Sequence, residues 1–390
     1  MEAAICPSSV APPEEAYRYW PSGEAVCYGE RKKLVRLIFY KVAFSEYEEE
    51  QYRLFERFMQ ETAPAFQYPD WMGKEERIRV LLGCKFNFKK SSEALFVAIE
   101  WRNAFAPLSY ISLFAPCQGV LNSGAIYIHG RDHRYRPLLV LNIARLDLVG
   151  HTVAEYRALI CFLLEFMTKK MMLPGQVENW VVITDLAKRS LLDLPVTELK
   201  QLVKLLQDNF RCRMTVNYIV NAPSALTWLW GVVKVVIEEH TLKKLKILKS
   251  GLVEEMKSHF ALHQYEEKYG GTAPNAQLFW PPTLPPAPFN SPNESPHLHL
   301  SPHSSYPDYF PSDPLLTVPS PLLDTDVSRD PHSQFLRAEF TKVPLIKQDT
   351  DEVLDPDPDL ISVNEYFSPV QAPTPKARRR CCTRKKCLLS

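Results

Sequence analysis

Two runs decide how this sequence folds: Leu138-Leu139-Val140-Leu141-Asn142-Ile143 and Trp180-Val181-Val182-Ile183. Each is short, apolar at successive positions and contains β-branched residues, which suits a strand buried on both faces rather than one with a wet side. Working outward, Ala125-Ile126-Tyr127-Ile128 precedes them and Thr215-Val216-Asn217-Tyr218-Ile219-Val220 follows. The stretch between Ile128 and Leu138, His-Gly-Arg-Asp-His-Arg-Tyr-Arg-Pro, reads as a turn and predicts an antiparallel pair. Helical patterns over Ala154–Met172 and Val196–Asp208 separate the remaining runs. Strands alternating with helices predict parallel βαβ units. The expected fold is α/β, with a mixed, mostly parallel sheet covered by helices.

Upstream the pattern is helical. Ser45–Thr62 opens with a good N-cap and acids in its first turn, and Tyr52, Phe55, Phe58 and Met59 recur at helical spacing. Glu75–Cys84 and Ser91–Phe105 predict two more helices around Lys85-Phe86-Asn87-Phe88, with Ser91 as a cap. Residues 31–108 thus form an expected helical N-terminal lobe, and the Pro/Glu/Gly-punctuated residues 1–30 are expected to be loose. Downstream, Ser224–Glu239 has almost no polar face: Trp228, Leu229, Trp230 and Val233 stand among further valines. A helix apolar all round is buried or meets something greasy. A basic segment (Thr241–Lys249), a short amphipathic helix near Val253–Leu262 and the stop Tyr269-Gly270-Gly271-Thr272 complete the expected α/β domain, residues 109–272.

Composition sets the remaining limits. Of 33 prolines in 390 residues, 12 lie in residues 1–272 and 21 in the last 118. A tail so rich in proline and poor in apolar periodicity cannot bury enough surface to offset its ordering entropy, so 273–375 is expected to be a disordered tether. Its first run, Trp280-Pro281-Pro282-Thr283-Leu284-Pro285-Pro286, suits a polyproline conformation that could dock an aromatic-groove domain; a plain spacer is the simpler expectation. The net charge of +1 excludes a globally basic nucleic-acid binder. Nine scattered cysteines without a CxxC pair fit a reducing, cytoplasmic setting. No secretory signal opens the chain, and its most apolar stretches fall short of the ~18 residues that span a bilayer.

The order of landmarks over residues 75–272 resembles the CRAL-TRIO lipid-binding family. Arg79-Val80-Leu81, Lys85-Phe86-Asn87 and Trp101-Arg102 look like its helical module, and Gly130-Arg131-Asp132 with Arg136-Pro137 looks like its G-x-D-x-x-x-R-P strand pair. Ile183-Thr184-Asp185-Leu186 resembles the end of its central strand. Val220-Asn221-Ala222-Pro223, Trp230, Lys234, Thr241, Lys244 and Tyr269-Gly270-Gly271 follow its C-terminal signature in order. The resemblance implies a sheet that floors a lipid pocket closed by a gate helix, and it places the gate at residues 224–239. It also implies pocket and gate candidates: Trp180, Val182, Arg213, Tyr218, Trp228, Leu229, Trp230, Val233 and Lys244. Several positions depart from the phosphatidylinositol-binding pattern. Arg211-Cys212-Arg213 stands where that pattern has Pro-Glu-Arg, so the headgroup glutamate becomes Cys212. Trp180 and Val182 replace two hydroxyl residues, and Leu82 and Cys84 replace two arginines. A buried headgroup needs its donors and acceptors satisfied, so the resemblance implies a different, more apolar lipid or an emptied pocket.

The last stretch, residues 376–390, carries the second signal. Cys387-Leu388-Leu389-Ser390 fits C-a-a-X, with Ser as X pointing to a farnesyl group on Cys387. Cys381 and Cys382 are candidates for palmitoylation, and the basic residues around them would add about 1 kcal/mol each against an anionic membrane surface. Nucleic-acid and zinc readings are weaker, since adjacent cysteines without a histidine partner make a poor tetrahedral set. No phosphate loop, HExxH, GxSxG or paired metal motif occurs, so no enzyme, cofactor or metal centre is expected. The expectation is a non-catalytic lipid-binding protein, cytoplasmic and peripheral on a membrane through its lipid anchor, with a phospholipid or another hydrophobic lipid as ligand. The competing expectation is a membrane-anchored scaffold whose pocket is vestigial.

Overall fold

The computed structural model describes residues 10–289 apart from 22, 30, 106–109, 188–194, 223–234, 236 and 249–255. Five strands form one sheet: β1 (Ile126–Arg131), β2 (Pro137–Asn142), β3 (Trp180–Asp185), β4 (Met214–Val220) and β5 (Leu245–Ile247). They lie in sequence order, with β1 antiparallel to β2 and every later pair parallel. The sheet is therefore mixed and mostly parallel, as the alternation of strand and helix runs predicts. β5 is the strand that the reading of 241–249 as a basic segment passes over. Only Leu245 of its three residues is buried, so lysines on either side mask it.

Among the described residues, three helices of ten residues or more precede the sheet. In α1 (Glu46–Thr62), the Ser45 hydroxyl accepts from the Glu48 N–H and the Glu48 carboxylate accepts from the Ser45 N–H, a closed capping box. Next come α2 (Lys74–Gly83) and α3 (Phe88–Phe105), and these helices bury Phe55, Met59, Ile78, Leu81 and Leu95 around Phe39. Ser91 is not the cap of α3. The helix begins at Phe88, the Asn87 side-chain oxygen accepts from the Lys90 N–H at 3.0 Å, and Ser91 is buried inside the first turns.

Glu178, immediately before β3, fastens this helical lobe to the sheet. Its buried carboxylate accepts from the N–H groups of Phe39 (3.1 Å), Tyr40 (2.9 Å) and Gly175 (2.9 Å) and pairs with Arg79 at 2.8 Å. Arg102–Glu165 (2.7 Å) and Arg213–Glu76 (3.2 Å) make further ties. A buried carboxylate so fully engaged repays its desolvation through charge-assisted bonds.

The motif Gly130-Arg131-Asp132…Arg136-Pro137 is the β1–β2 turn. Gly130 has φ +61°, and a side chain there would overlap the Gln264 carbonyl oxygen, so both conformation and space require glycine. The Asp132 carboxylate accepts from the N–H groups of Arg134 (3.0 Å) and Arg136 (2.8 Å) and from the Arg136 guanidinium (2.6 Å). Arg131 donates to the carbonyls of Val10 (2.8 Å), Tyr135 (2.7 Å) and Met171 (3.0 Å). That contact corrects the expectation of loose chain for the described residues from Val10 onward, while residues 1–9 lie outside the described residues. Val10 and Ala16 are buried, and the Gln176 amide donates to the carbonyls of Tyr17 and Tyr19.

One face of the sheet carries α4 (Val153–Phe166) and α5 (Val196–Asn209). The expected helix Ala154–Met172 stops its α-turns at Phe166 and continues as a π-turn over Met167–Met171. On the other face Met256, Phe260, Tyr265, Tyr269 and Phe279, from a segment that includes two short 3-10 turns, pack on Tyr127, Val181, Ile183 and Tyr218. Folded chain also continues beyond 272. The Asn122 side-chain oxygen accepts from the N–H groups of Phe279 (3.0 Å) and Trp280 (2.8 Å). The Trp280 ring lies 4.9 Å from that of Phe162 and 5.0 Å from that of Phe166. Gln264 donates to the Pro286 carbonyl at 2.7 Å, and Phe289 packs on Tyr135. The first proline-rich run therefore docks on aromatic residues of its own chain.

Candidate functional site

Strand alternation creates the site. On the α4/α5 face, Leu139 and Leu141 of β2, Trp180, Val182 and Thr184 of β3, and Asn217 and Ile219 of β4 form a floor. A bulge opposite Trp180–Val181 adds one residue to β4, so Met214 and Asn217 lie on the same face although three positions apart. Above the floor stand Tyr156, Ile160 and Leu164 of α4 and Leu199, Leu202, Val203 and Leu206 of α5. They enclose a cavity of about 380 Å³, at the small end of the roughly 300–1,000 Å³ of small-molecule sites.

The α5 residues recur at the i, i+3, i+4, i+7 spacing of an amphipathic face, yet no residue of α5 is fully buried. Leu202, Leu205 and Leu206 are only partly buried against the core beneath, and the cavity lies between the helix and the floor. This face was available in the sequence, because the period is plain in Leu199-Lys200-Gln201-Leu202-Val203; recognising it as a wall needed the sheet beneath.

Polar groups gather at one end. The Arg211 guanidinium pairs with Glu238 at 3.2 Å and with Asp208 at 3.3 Å. The Lys244 ammonium donates to the Met214 carbonyl at 2.8 Å, and burial pushes its pKa below the usual lysine value. Cys212 and Thr241 line the same end. Cys212 has φ +56°, and its Sγ lies 3.9 Å from the Arg79 carbonyl oxygen. Nearby, burial pushes the Cys84 thiol up despite the Arg211 charge. Deeper in, the Thr184 hydroxyl donates to the Asn217 side-chain oxygen at 2.9 Å, so that pair satisfies itself.

The site residues expected from sequence divide into three groups. Trp180, Val182 and Lys244 line the cavity. Trp180 takes up part of its room, edge-on to Phe210 at 6.1 Å. Tyr218 and Arg213 stand elsewhere. Tyr218 points to the opposite face, among Tyr127, Val181 and Ile183, because it alternates with Asn217 and Ile219. Arg213 turns toward the helical lobe, where it pairs with Glu76 and donates to the Glu178 carbonyl at 3.2 Å. Trp228, Leu229, Trp230 and Val233, together with Cys381, Cys382 and Cys387, lie outside the described residues. Leu82 is buried in the lobe core, and Cys84 caps α2. Arg211, Asn217 and Thr241 line the cavity without having been singled out as site residues.

The motifs of the C-terminal signature meet at the far end of the strands. Asn221, with φ +54°, donates through its side-chain amide to Asp185 at 2.8 Å, and the Tyr269 hydroxyl donates to the other Asp185 oxygen at 3.2 Å. Three stretches far apart in sequence are thus fixed around one carboxylate. Among the described residues, no group of three or more His, Cys, Asp or Glu could hold a metal ion. No helix among them is long and apolar enough to cross a membrane.

The Sec14 cytosolic factor of Schizosaccharomyces pombe is 25% identical over 209 residues, covering 48% of this chain and 72% of that protein. The crystal structure of Sfh5 aligns with a TM-score of 0.45 at 15% identity, over 61% of this chain and 91% of that one. Residues 121–271, which contain the sheet and the cavity floor, match the CRAL/TRIO domain, and over this region the chain is similar to that family.

Proposed function

We propose that this protein binds a hydrophobic lipid between its sheet and α5, and that it carries, presents or senses that lipid at a cytosolic membrane face. One observation supports this reading above the others: an apolar cavity between an apolar floor and a helical wall, α5, whose leucines are only partly buried. Leaving such a surface wet is costly at about 25 cal/mol per Å², and a fatty guest removes that cost. Similarity to the CRAL/TRIO domain and to the Sec14 cytosolic factor supports the same class. The proposed gate is the segment 224–239. The proposed anchor is a farnesyl group on Cys387, reinforced by palmitoylation of Cys381 and Cys382 and by the surrounding cations. A single chain holds a protein at a membrane only weakly and reversibly, so the second signal matters. A tethered carrier travels little, which favours local presentation or sensing over bulk transfer.

A second reading, a membrane-anchored scaffold with a vestigial pocket, draws on Trp180, whose indole occupies space the floor would otherwise leave open. Solvent extraction of the purified full-length protein, with mass spectrometry of the extract, separates the two. Stoichiometric lipid is the expected result; a clean extract would leave the scaffold. For the anchor, Cys387→Ser should move the protein from the membrane fraction to the soluble one, and unchanged fractionation would remove the anchoring claim.

A further inference from the structure

The floor of the cavity is apolar except at one place. Thr184 of β3 and Asn217 of β4 stand side by side on it, among Leu141, Val182 and Ile219. Asn217 is there because of the bulge. Strict alternation from Met214 would present Val216 to the cavity; the extra residue turns Val216 to the packed face and Asn217 to the open one. Bulges that re-aim a side chain are concentrated beside functional sites.

Nearby polar groups are engaged within the protein. The Tyr156 hydroxyl accepts from the Asp147 N–H at 3.0 Å, and the Gln207 side-chain oxygen accepts from the Glu238 N–H at 2.7 Å. On β4, the Thr215 hydroxyl donates to the Trp180 carbonyl at 3.1 Å. The Thr184–Asn217 bond of 2.9 Å uses the Thr184 proton and the Asn217 oxygen, and no more. Among the described residues, the Asn217 amide nitrogen has no hydrogen-bond partner, and the Thr184 oxygen accepts from none. The pair therefore presents N–H donors and an open acceptor next to one another.

What covers this pair decides the guest. A hydrocarbon lying on the floor strips water from the Asn217 amide and leaves it unpaired, at the full cost of its desolvation. A carbonyl accepts from Asn217 and offers nothing to Thr184. A hydroxyl answers both: its oxygen accepts from Asn217 and its proton goes to the Thr184 oxygen, while the Thr184 proton already goes to Asn217. Each of the three groups then donates to the next, and bonds linked in this way strengthen one another in a low-dielectric site. Resting on the lipid-binding reading, we infer that the cavity floor carries a subsite for an uncharged lipid hydroxyl, with Asn217 as its donor and Thr184 as its acceptor.

The test is headspace partitioning of decan-2-ol, decan-2-one and 2-methyldecane over the purified, delipidated full-length protein. The three share one shape and differ in a single group. Each fits a cavity of about 380 Å³, taking for every heavy atom roughly the 30 Å³ of a water molecule. The wild type should bind the alcohol several-fold more tightly than the ketone, a comparison that needs no variant. Asn217→Leu should weaken the alcohol about tenfold, the equivalent of one lost hydrogen bond with its partner left unpaired. The same variant should bind 2-methyldecane as tightly as the wild type or more so, which shows that its cavity is intact. A ketone bound as well as the alcohol overturns the hydroxyl. An alcohol that loses no more than the alkane in Asn217→Leu overturns the subsite and leaves the lipid reading standing. Binding of none of the three, together with a lipid-free extract, overturns both.

Discussion

The two faces of the central sheet are built from the same kinds of residue, yet they are covered differently. On one face, Met256, Phe260, Tyr265, Tyr269 and Phe279 pack onto Tyr127, Val181, Ile183 and Tyr218, and all of these side chains are buried. On the other, regular helices stand over Leu139, Trp180 and Val182 and leave a cavity. The difference assigns stability to one face and binding to the other.

The sharpest way to break this comparison is to truncate one large side chain on each face. Phe260 is 1% exposed on the packed face, and Phe260→Ala should cost about 3–5 kcal/mol in a urea titration, the range for a buried aromatic side chain. Little change would mean that this cover adds nothing.

Smaller in expected effect is the charged seam that joins the helical lobe to β4. Burial alone would raise the Glu76 pKa, but Arg79 and Arg213 outweigh it and hold the carboxyl down to about 2, against an ordinary value of 4.5. A carboxyl lowered on folding contributes fully above its unfolded pKa and loses that contribution as pH falls toward its folded one. Stability should therefore decline between about pH 4.5 and pH 2 by no more than about 3 kcal/mol from this group, and Glu76→Gln should flatten the profile in that window. An identical acid limb in the variant would place the titration elsewhere.

The smallest effect belongs to the cavity face. Leu202→Ala should cost about 1–2 kcal/mol in the lipid-free protein, less than Phe260→Ala, because the leucine is only partly buried against the core beneath. Its signature should lie in weaker lipid retention. A cost matching that of Phe260→Ala would mean that α5 is ordinary core and the two faces are alike.

Much of this arrangement was legible in the residues. The apolar runs gave four of the five strands, the turn at Gly130–Pro137 gave the antiparallel pair, and Ser45 announced α1. β5 was hidden because three residues flanked by lysines carry no period long enough to read. The described residues between 10 and 29 and residues 273–289 pack on the fold, where their proline-punctuated sequence predicts free chain. Contacts far away in sequence order these segments: Val10 through Arg131, and Trp280 through Asn122, Phe162 and Phe166. Of the site, Trp180, Val182 and Lys244 could be picked out by position. Tyr218 could not be assigned a face, because the bulge in β4 resets the alternation that follows Met214. Arg213 looked like a pocket cation until its partner Glu76, from a helix distant in sequence, was in view.

The central claim is that the space beneath α5 belongs to a guest, and native mass spectrometry of the intact full-length protein tests it most directly. The account predicts a species heavier by one lipid molecule in the wild type, and loss of that added mass in Leu202→Trp, where an indole fills the cavity and the fold is retained. A wild-type protein carrying no added mass, even after incubation with single-chain lipids and phospholipid vesicles, would contradict it.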